Sequence, residues 1–163
     1  MDPVSAPFTA VVVVASNRAA AGVYADETGP LIVDALRADG WEVGDPVVVP
    51  DGEAVGEAIS AAVRSGARAV LTTGGTGLTP TDLTPEVTRG LLEREVPGIA
   101  EAIRAAGVGK GVATAALSRG VAGTVGDALV VNLPGSRGGV KDGLAVVVPL
   151  LRHAVEQIVG SDH

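Results

Sequence analysis

Apolar and polar positions follow two different periods along the chain, and this pattern predicts strands separated by helices. The run FTAVVVVAS at 8–16 is almost continuously apolar and rich in valine, as in a strand buried on both faces. From Pro30 to Gly40, apolar side chains recur at helical spacing. The alternation predicts a layered α/β domain with a largely parallel sheet. The remaining elements predicted in this half are a strand at 43–49, a helix at 52–64 and a strand at 68–73.

The second half of the chain predicts helices introduced by proline, a hairpin and a long final helix. Thr84 is positioned to cap a helix over 85–95, and Pro97 begins another. Apolar runs on either side of Gly126-Asp127 predict two strands joined by a tight turn. The last helix is expected at about 136–159, where apolar residues at i, i+3, i+4 and i+7 predict one buried face.

Composition narrows the class of protein. A chain of 163 residues that is 47% hydrophobic suits one domain with a substantial core, so residues 1–163 are treated as a single domain. Only 2% of the residues are aromatic and the net charge is −7, which argues against nucleic acid as a partner. There is no cysteine for disulfides or thiolate metal sites, no basic and apolar leader, and no apolar run of membrane-spanning length. We expect a soluble cytoplasmic protein.

The stretch TTGGTG at 72–77 follows the apolar run 69–71 directly and contains three glycines. Glycine gives up side-chain packing but permits φ > 0, so the backbone here is shaped for a tight turn or for a ligand. The stretch does not match the dinucleotide fingerprint, and Lys110 is followed by Gly111, so the chain has no P-loop motif either. Glycine amides and threonine hydroxyls at a strand end can still form a nest for phosphate oxygens.

Two acidic residues follow predicted strand ends, Asp51 after the second strand and Asp82 after the glycine stretch. Carboxylates beside a phosphate nest are consistent with a bridging Mg²⁺, which prefers oxygen ligands. Each residue also has a purely structural interpretation. Asp51 could cap the helix that follows it, and Asp82 could accept backbone hydrogen bonds in a turn.

A second polar cluster combines Ser118-Arg119 with the segment NLPGSRGG at 132–139. An amide side chain such as that of Asn132 can contact the edge of a heterocycle, and the serine and arginine can bind phosphate. The alternative is an ordinary loop with a Pro-Gly turn. The surrounding third of the chain, residues 104–141, is also basic, which favours an anionic ligand or is a chance feature of a solvated face. Its basic residues are Arg104, Lys110, Arg119, Arg137 and Lys141, against Asp127.

Four stretches in this order and spacing resemble the MogA/MoaB family of molybdenum cofactor biosynthesis: TTGGTGLTPTDLTPEVT, EREVPGIAEAIR, LSRGVAG and VVNLPGSRGG. YADETGP and VVPDGEAV are also similar to family stretches, so the resemblance covers nearly the whole chain. It implies a three-layer α/β/α fold with a mostly parallel, mixed sheet of the Rossmann-like, molybdopterin-binding type. It also implies a homotrimer or a dimer of trimers.

The activity that the resemblance implies is that of a molybdopterin adenylyltransferase. Such an enzyme transfers AMP from Mg-ATP to molybdopterin and releases pyrophosphate. In that family the acids at the positions of Asp51 and Asp82 are essential, and we expect Asp82 to hold Mg²⁺. The residues expected to bind molybdopterin or ATP are Thr73, Gly74, Gly75, Thr76, Gly77, Ser118, Arg119, Asn132, Pro134 and Gly135.

Two positions depart from the pattern of the adenylylating members of the family. Those members often have an arginine just before the loop acid and another shortly after the AG of the LSR stretch, where this chain has Thr81 and Val125. Each missing guanidinium removes a charge-assisted contact with phosphate. The alternative hypothesis is therefore a MoaB-like protein that binds molybdopterin with little or no catalysis. A nucleotide pyrophosphatase similar to the competence-damage family fits less well, because that family lacks the NLPG arrangement.

Overall fold

The computed structural model describes residues 8–160 and confirms the expected layered α/β fold. One mixed, mostly parallel sheet of seven strands is flanked by helices on both faces. The strands are β1 (Thr9–Ala15), β2 (Glu42–Val43), β3 (Val47–Val49), β4 (Ala69–Thr73), β5 (Arg94–Glu95), β6 (Ala122–Val125) and β7 (Ala128–Leu133). The α-helices are α1 (Asn17–Ala20), α2 (Thr28–Ala38), α3 (Glu53–Arg64), α4 (Thr84–Arg89), α5 (Pro97–Gly109) and α6 (Arg137–Ile158), with a 3₁₀ helix at Ala113–Leu117.

The sheet has the order β2-β1-β4-β7-β6-β5, and β3 pairs with the far end of β1. Strands β1, β4 and β7 lie side by side and parallel, which brings their carboxyl ends to one edge. Strands β6 and β7 are antiparallel, as predicted, because only Gly126 and Asp127 join them. Gly126 has φ +55°, which suits so tight a turn.

Alternate residues of the central strands enter two separate cores. Val12, Leu71 and Val131 belong to the larger core, which the sheet forms with α2, α5 and α6. Val13 and Val70 belong to the smaller core, which lies against α3. Because both faces of the sheet are covered, strands β1, β4 and β7 read as continuous apolar runs rather than as alternating ones.

The predicted strand at 43–49 is interrupted. Residue 43 pairs with Ala10 and Val47 pairs with Val13, so four residues on one strand span three on the other. The extra residue and Pro46, which has no backbone N–H to donate, break the ladder between β2 and β3. Pro46 packs instead against Gly29 at the start of α2, where a Cβ on the glycine would lie 2.8 Å from the proline Cβ.

The predicted helix over 85–95 is correct only in its first part. Helix α4 ends at Arg89, and Gly90 is its C-cap. Beyond it the backbone joins the sheet edge, because the amides of Glu93 and Val96 donate to carbonyl groups of the β6 strand. Thr84 is also not the cap that we predicted. It is the first helical residue, and its hydroxyl is buried without a hydrogen-bond partner among residues 8–160.

The final helix agrees with the prediction. Helix α6 has 22 residues, and Ser136 is its N-cap, with the serine Oγ accepting a hydrogen bond from the Gly139 amide at 3.0 Å. Its buried face includes Leu144, Val147 and Leu151. None of the helices in residues 8–160 is long and apolar enough to cross a membrane.

Candidate functional site

The glycine stretch forms a loop at the carboxyl end of β4, between the ends of β1 and β7. Gly74 and Gly75 have φ of +90° and +68°, a conformation that residues with a side chain rarely adopt. A Cβ on Gly74 would overlap the carbonyl oxygen of Ala15, so the loop passes directly over the end of β1. On the other side, a Cβ on Gly135 would lie 3.3 Å from Gly74 Cα. A side chain on Gly74 would therefore clash with the backbone of β1, and a side chain on Gly135 would press on the backbone of Gly74.

The backbone amides of this loop are available for a ligand. The amides of Gly75, Thr76 and Gly77 donate no hydrogen bond to any group of residues 8–160, whereas the carbonyl of Gly75 accepts one from Thr84. Buried or partly buried amides without a partner are rare in proteins. A concave row of such amides is the arrangement that binds phosphate oxygens. The structure therefore favours a phosphate nest over a simple turn.

Asp51 lies beside this loop and does not cap α3, whose N-cap is Gly52, without any side-chain cap bond. The Asp51 backbone amide is held by Asn17 Oδ1 at 2.9 Å. Its carboxyl oxygen Oδ1 is buried without a partner among the described residues, as is the hydroxyl of Thr84. Both atoms lie against Gly75, where a Cβ would overlap Thr84 Oγ1 and come within 2.8 Å of Asp51 Oδ1.

Asp82 lies on the other side of the loop. Its Oδ2 accepts a hydrogen bond from the Thr79 amide at 3.0 Å, which is the turn contact that the structural interpretation expected. The same oxygen would lie 2.8 Å from a Cβ on Gly77, so the carboxylate packs directly on the glycine loop. A turn role and a ligand role are compatible here, because the second carboxyl oxygen makes no hydrogen bond within residues 8–160.

The two carboxylates are electrostatically coupled. Burial raises the pKa of the Asp51 carboxyl, the negative charge of Asp82 raises it further, and a backbone hydrogen bond from Asn17 lowers it in part. A cation between the carboxylates would remove this repulsion. The donor set suits a hard cation, because the orphaned Asp51 Oδ1, the Thr84 hydroxyl and Asp82 all offer oxygen.

No cluster of three or more His, Cys, Asp or Glu side chains that could hold a metal occurs in the described range. Mg²⁺ usually binds through one or two carboxylates and completes its shell with water and substrate phosphate. Asp51 and Asp82 beside a phosphate nest fit that mode of binding.

Arg119, which the sequence predicts to bind phosphate, is hydrogen-bonded to groups of the protein. Its Nε donates to the Gly77 carbonyl at 2.8 Å and its Nη2 donates to the Asp82 carbonyl at 2.7 Å. Its Nη1 forms an ion pair with Glu86. The preceding Ser118 lies at the wall of the cleft, and the carbonyls of Ser118 and Gly120 accept hydrogen bonds from Arg104. The guanidinium of Arg119 is therefore committed to the protein.

The side chains of Asn132 and Thr73 are also buried, and both form hydrogen bonds with other groups of the protein. Asn132 is 3% exposed. Its Nδ2 donates to the hydroxyls of Thr72 and Thr88 at 2.9 and 3.1 Å, and its Oδ1 accepts from the Val121 amide. The sequence predicts that this amide contacts a heterocycle, whereas in the structure the β7 backbone directs it into the core. Thr73 is fully buried and donates to the carbonyl of Pro134 at 2.7 Å.

Two cavities flank the glycine loop. The first has a volume of about 430 Å³ and a mostly apolar lining that includes Thr76, Gly77, Asp82, Val112, Leu117 and Ser118. The second has a volume of about 410 Å³ and a more polar lining that includes Ser16, Tyr24, Asp26, Thr28, Gly74 and Arg137. Gly135 and Ser136 line both, so the cavities meet at the N-terminus of α6, whose dipole favours an anion.

Three of the five basic residues in the basic third of the chain are bonded to protein groups, whereas Arg137 is 56% exposed and lines the second cavity. Arg104 and Arg119 bind carbonyl groups of the protein, and Lys110 pairs with Asp142 at 2.7 Å. Val125 packs against the smaller core next to the turn at Gly126, at the opposite edge of the sheet from the glycine loop. An arginine at position 125 would therefore lie away from phosphate bound to the loop of the same chain.

Several residues of this site could not be recognised from the sequence. The sequence predicts Thr84 as a helix cap, whereas its buried hydroxyl lies against Gly75 of the glycine loop. Val112 comes from the segment before the 3₁₀ helix, where the sequence offered no motif, and Leu117 begins the LSRGVAG stretch but was not expected to line the site. Ser136 belongs to the NLPGSRGG stretch, but only the structure places it between the two cavities.

Residues 11–153 match a protein family described as "probable molybdopterin binding domain". The chain belongs to this family. It is 33% identical over 151 residues to a molybdopterin adenylyltransferase from Helicobacter pylori, a match that covers 90% of this chain and 85% of the relative. Among solved structures, the molybdopterin biosynthesis Mog protein from Mycobacterium ulcerans is 49% identical with a TM-score of 0.88, covering 93% of this chain and 99% of that one. The resemblance to the MogA/MoaB family and the expected fold are confirmed.

A longer relative is also similar. The chain is 41% identical over 155 residues to a molybdenum cofactor biosynthesis bifunctional protein from Synechococcus elongatus. The match covers 94% of this chain and 48% of that protein, so the chain spans about half the length of this curated relative.

Proposed function

We propose that this protein transfers AMP from Mg-ATP to molybdopterin, giving adenylylated molybdopterin and pyrophosphate. One observation carries the proposal. The amides from Gly75 to Gly77 make no hydrogen bond within residues 8–160, and they lie between two carboxylates at the meeting point of two cavities. Membership of a molybdopterin-binding family supplies one substrate class, and the name of the Helicobacter pylori relative supplies the reaction.

The two cavities support a division of the substrates. The mostly apolar cavity beside Val112, Leu117 and Ser118 suits the flat pterin ring, which needs apolar surface on its faces. The more polar cavity beside Ser16, Tyr24 and Asp26 suits the nucleoside of ATP. The phosphates of both substrates then converge on the glycine loop and the N-terminus of α6.

The reaction is a displacement at phosphorus. An oxygen of the molybdopterin phosphate attacks the α-phosphorus of ATP, the bond from that phosphorus to the bridging oxygen of the β-phosphate breaks, and the electron pair leaves with pyrophosphate. The chain's contribution is to hold two anions in line, which the loop amides do by donating hydrogen bonds to phosphate oxygens. Since the amides carry no other bonds within residues 8–160, they need no rearrangement to do so.

Mg²⁺ would be held by Asp51 and Asp82, with the Thr84 hydroxyl within the same group of oxygen donors. When bound, the ion neutralises charge on the phosphates of ATP and on the leaving pyrophosphate. Both carboxylates are therefore proposed as catalytic residues. The active form is proposed to be a homotrimer or a dimer of trimers acting in the cytoplasm. The acidic, cysteine-free sequence supports the location, and the family resemblance supports the assembly.

A second candidate function is molybdopterin binding without transfer. It is favoured by Thr81, which stands where adenylylating relatives often have an arginine, and by the commitment of Arg119 to protein groups. With neither guanidinium available, Arg137 is the arginine left in the lining of the second cavity to support the backbone amides and Mg²⁺ in holding the phosphates of ATP. Such a protein would bind the pterin and leave it unmodified.

Incubation of the purified protein with molybdopterin and Mg-ATP separates the two functions. Transfer predicts adenylylated pterin and pyrophosphate in equal amounts, measured by mass spectrometry and a coupled phosphate assay. An ATP analogue with a methylene group between the α- and β-phosphorus is the matched control, since its scissile bond cannot break. If the protein binds molybdopterin but releases no pyrophosphate, the transferase hypothesis is refuted and the binding function is supported.

A further inference from the structure

Arg119 lies three residues before the start of β6. Four contacts join it to the glycine loop and to the residues that follow the loop. Its backbone amide donates to the Thr76 carbonyl at 2.9 Å, and its side chain donates to the Gly77 and Asp82 carbonyls. The fourth contact is the ion pair with Glu86 on α4. We call this set of contacts the arginine clamp. It joins both ends of the segment from Thr76 to Asp82, which contains the end of the nest and the loop acid.

The clamp determines which way the loop amides face. In a trans peptide the C=O and N–H groups point in opposite directions, and residues 8–160 contain no cis peptide. Because the Thr76 carbonyl points to the Arg119 backbone, the Gly77 amide points away from it. Because the Gly77 carbonyl points to the guanidinium, the Leu78 amide is turned the same way. By binding the Thr76 and Gly77 carbonyls, the arginine clamp thus fixes the directions of the Gly77 and Leu78 amides.

The same contacts leave Arg119 poorly suited to bind phosphate. Its side chain is 33% exposed, and each of its three nitrogens already donates to a protein oxygen. Glu86 neutralises its charge, and the hydrogen bond from Arg119 lowers the pKa of the Glu86 carboxyl, so the pair stays ionised at neutral pH.

We propose that Arg119 is a positioning residue, which orients the loop amides and Asp82 for Mg²⁺-bound phosphate and does not itself contact substrate. The inference rests on the proposed function only in naming the ligand as a magnesium–phosphate group. A planar guanidinium is needed for this role because its nitrogens reach three acceptors in fixed directions, whereas a lysine ammonium supplies only a point charge.

The affinity for inorganic pyrophosphate with Mg²⁺, measured by calorimetry, tests the clamp without requiring catalysis. Arg119→Met is expected to weaken binding 10- to 100-fold, the usual cost of losing a group that orients a metal ligand. Arg119→Lys is expected to bind as poorly as Arg119→Met. The control is Arg68→Met, since Arg68 is also 33% exposed and paired with a carboxylate, at 3.0 Å, but lies at the other end of β4. Its affinity should equal that of the wild type.

A second variant separates positioning from direct contact with phosphate. Under the clamp, Glu86→Gln loosens Arg119 and lowers pyrophosphate affinity by a few fold. If Arg119 bound phosphate directly, the same variant would release its charge and raise the affinity, and Arg119→Lys would bind nearly as well as the wild type. Either of those two results overturns the proposal.

The measurement also distinguishes this inference from the proposed function. A wild-type protein that binds magnesium pyrophosphate but transfers no AMP would refute the transferase, and the variant affinities would still decide the role of Arg119. A wild-type protein that transfers AMP, with wild-type affinity in Arg119→Lys, would refute the clamp alone.

Discussion

Replacement of Asp51 by asparagine should make the protein more stable and remove its activity. The Asp51 carboxylate is held near a second negative charge, and its Oδ1 is buried without a partner among residues 8–160, as is the nearby hydroxyl of Thr84. An asparagine of the same shape carries no charge, so it removes the repulsion from Asp82 and the cost of keeping an ionised group partly buried. The residue is therefore placed for function at a cost to the fold.

The size of the gain follows from the charge on the unpaired carboxylate, since asparagine places an uncharged polar atom there instead. A buried polar atom without a partner costs about 1–3 kcal/mol. Asp51 is only partly buried, so the lower end of that range applies, and Asp51→Asn should stabilise the fold by about 1 kcal/mol at pH 7. For a chain of this length, such a change raises the melting temperature by about 2–4 °C.

The gain should depend on pH with a definite sign. Because the pKa of Asp51 is raised in the folded protein, the folded wild type takes up this proton more readily than the unfolded chain. The wild type therefore gains stability as pH falls through the raised pKa. The advantage of Asp51→Asn is full above that pKa and disappears below the ordinary value of 3.8.

Calorimetric melting of both proteins from pH 3.5 to 8 without Mg²⁺ measures this difference. Asp127→Asn is the control, since Asp127 is 72% exposed and its pair with Arg68 lies at the other edge of the sheet. Its loss should cost no more than about 1 kcal/mol. An Asp51→Asn variant that melts below the wild type at pH 7, or a difference that persists unchanged at pH 3.5, would refute the reasoning.

Three further substitutions test the loop and its support. Asp82→Asn should lower the adenylylation rate by about 100-fold or more with a melting temperature within about 2 °C of the wild type; a large loss of melting temperature at unchanged rate would make Asp82 a turn residue. Gly75→Ala should abolish pyrophosphate binding and destabilise more than Gly66→Ala, which has φ +98° but open space around it, as equilibrium unfolding would measure. Asn132→Ala should cost about 3 kcal/mol or more in denaturant unfolding, because it leaves three buried groups unpaired; a loss below about 1 kcal/mol would contradict the network.

The fold could be predicted from the sequence wherever the periodicity was unambiguous. β1, β4 and β7 are buried on both faces and α6 on one face. The order of apolar and polar residues in these elements therefore follows their burial directly. The strand at 43–49 and the helix at 85–95 were wrong in part because apolar content alone does not reveal a pairing partner. Contacts of Pro46 with Gly29, and of Glu93 with β6, decided those segments.

The site was predictable in place but not in orientation. Parallel strands bring their carboxyl ends together, so Asp51, the glycine loop and Pro134 were expected at one edge. The sequence does not reveal which way a side chain turns when it arrives there. Asn132 and Arg119 have the chemistry of ligand-binding residues, yet both are bound by the protein itself. Only the backbone geometry distinguishes a side chain that is free to bind a ligand from one that is hydrogen-bonded within the protein.

The junction of the two cavities at Gly135 and Ser136 has a consequence for the end of the catalytic cycle. Under the proposed function each substrate occupies one cavity, whereas adenylylated molybdopterin, a single molecule, spans both. Its two halves hold each other in place, so one half released from its cavity rebinds before the other leaves, as in any bivalent ligand. Under the proposed function, the product therefore dissociates more slowly than either substrate.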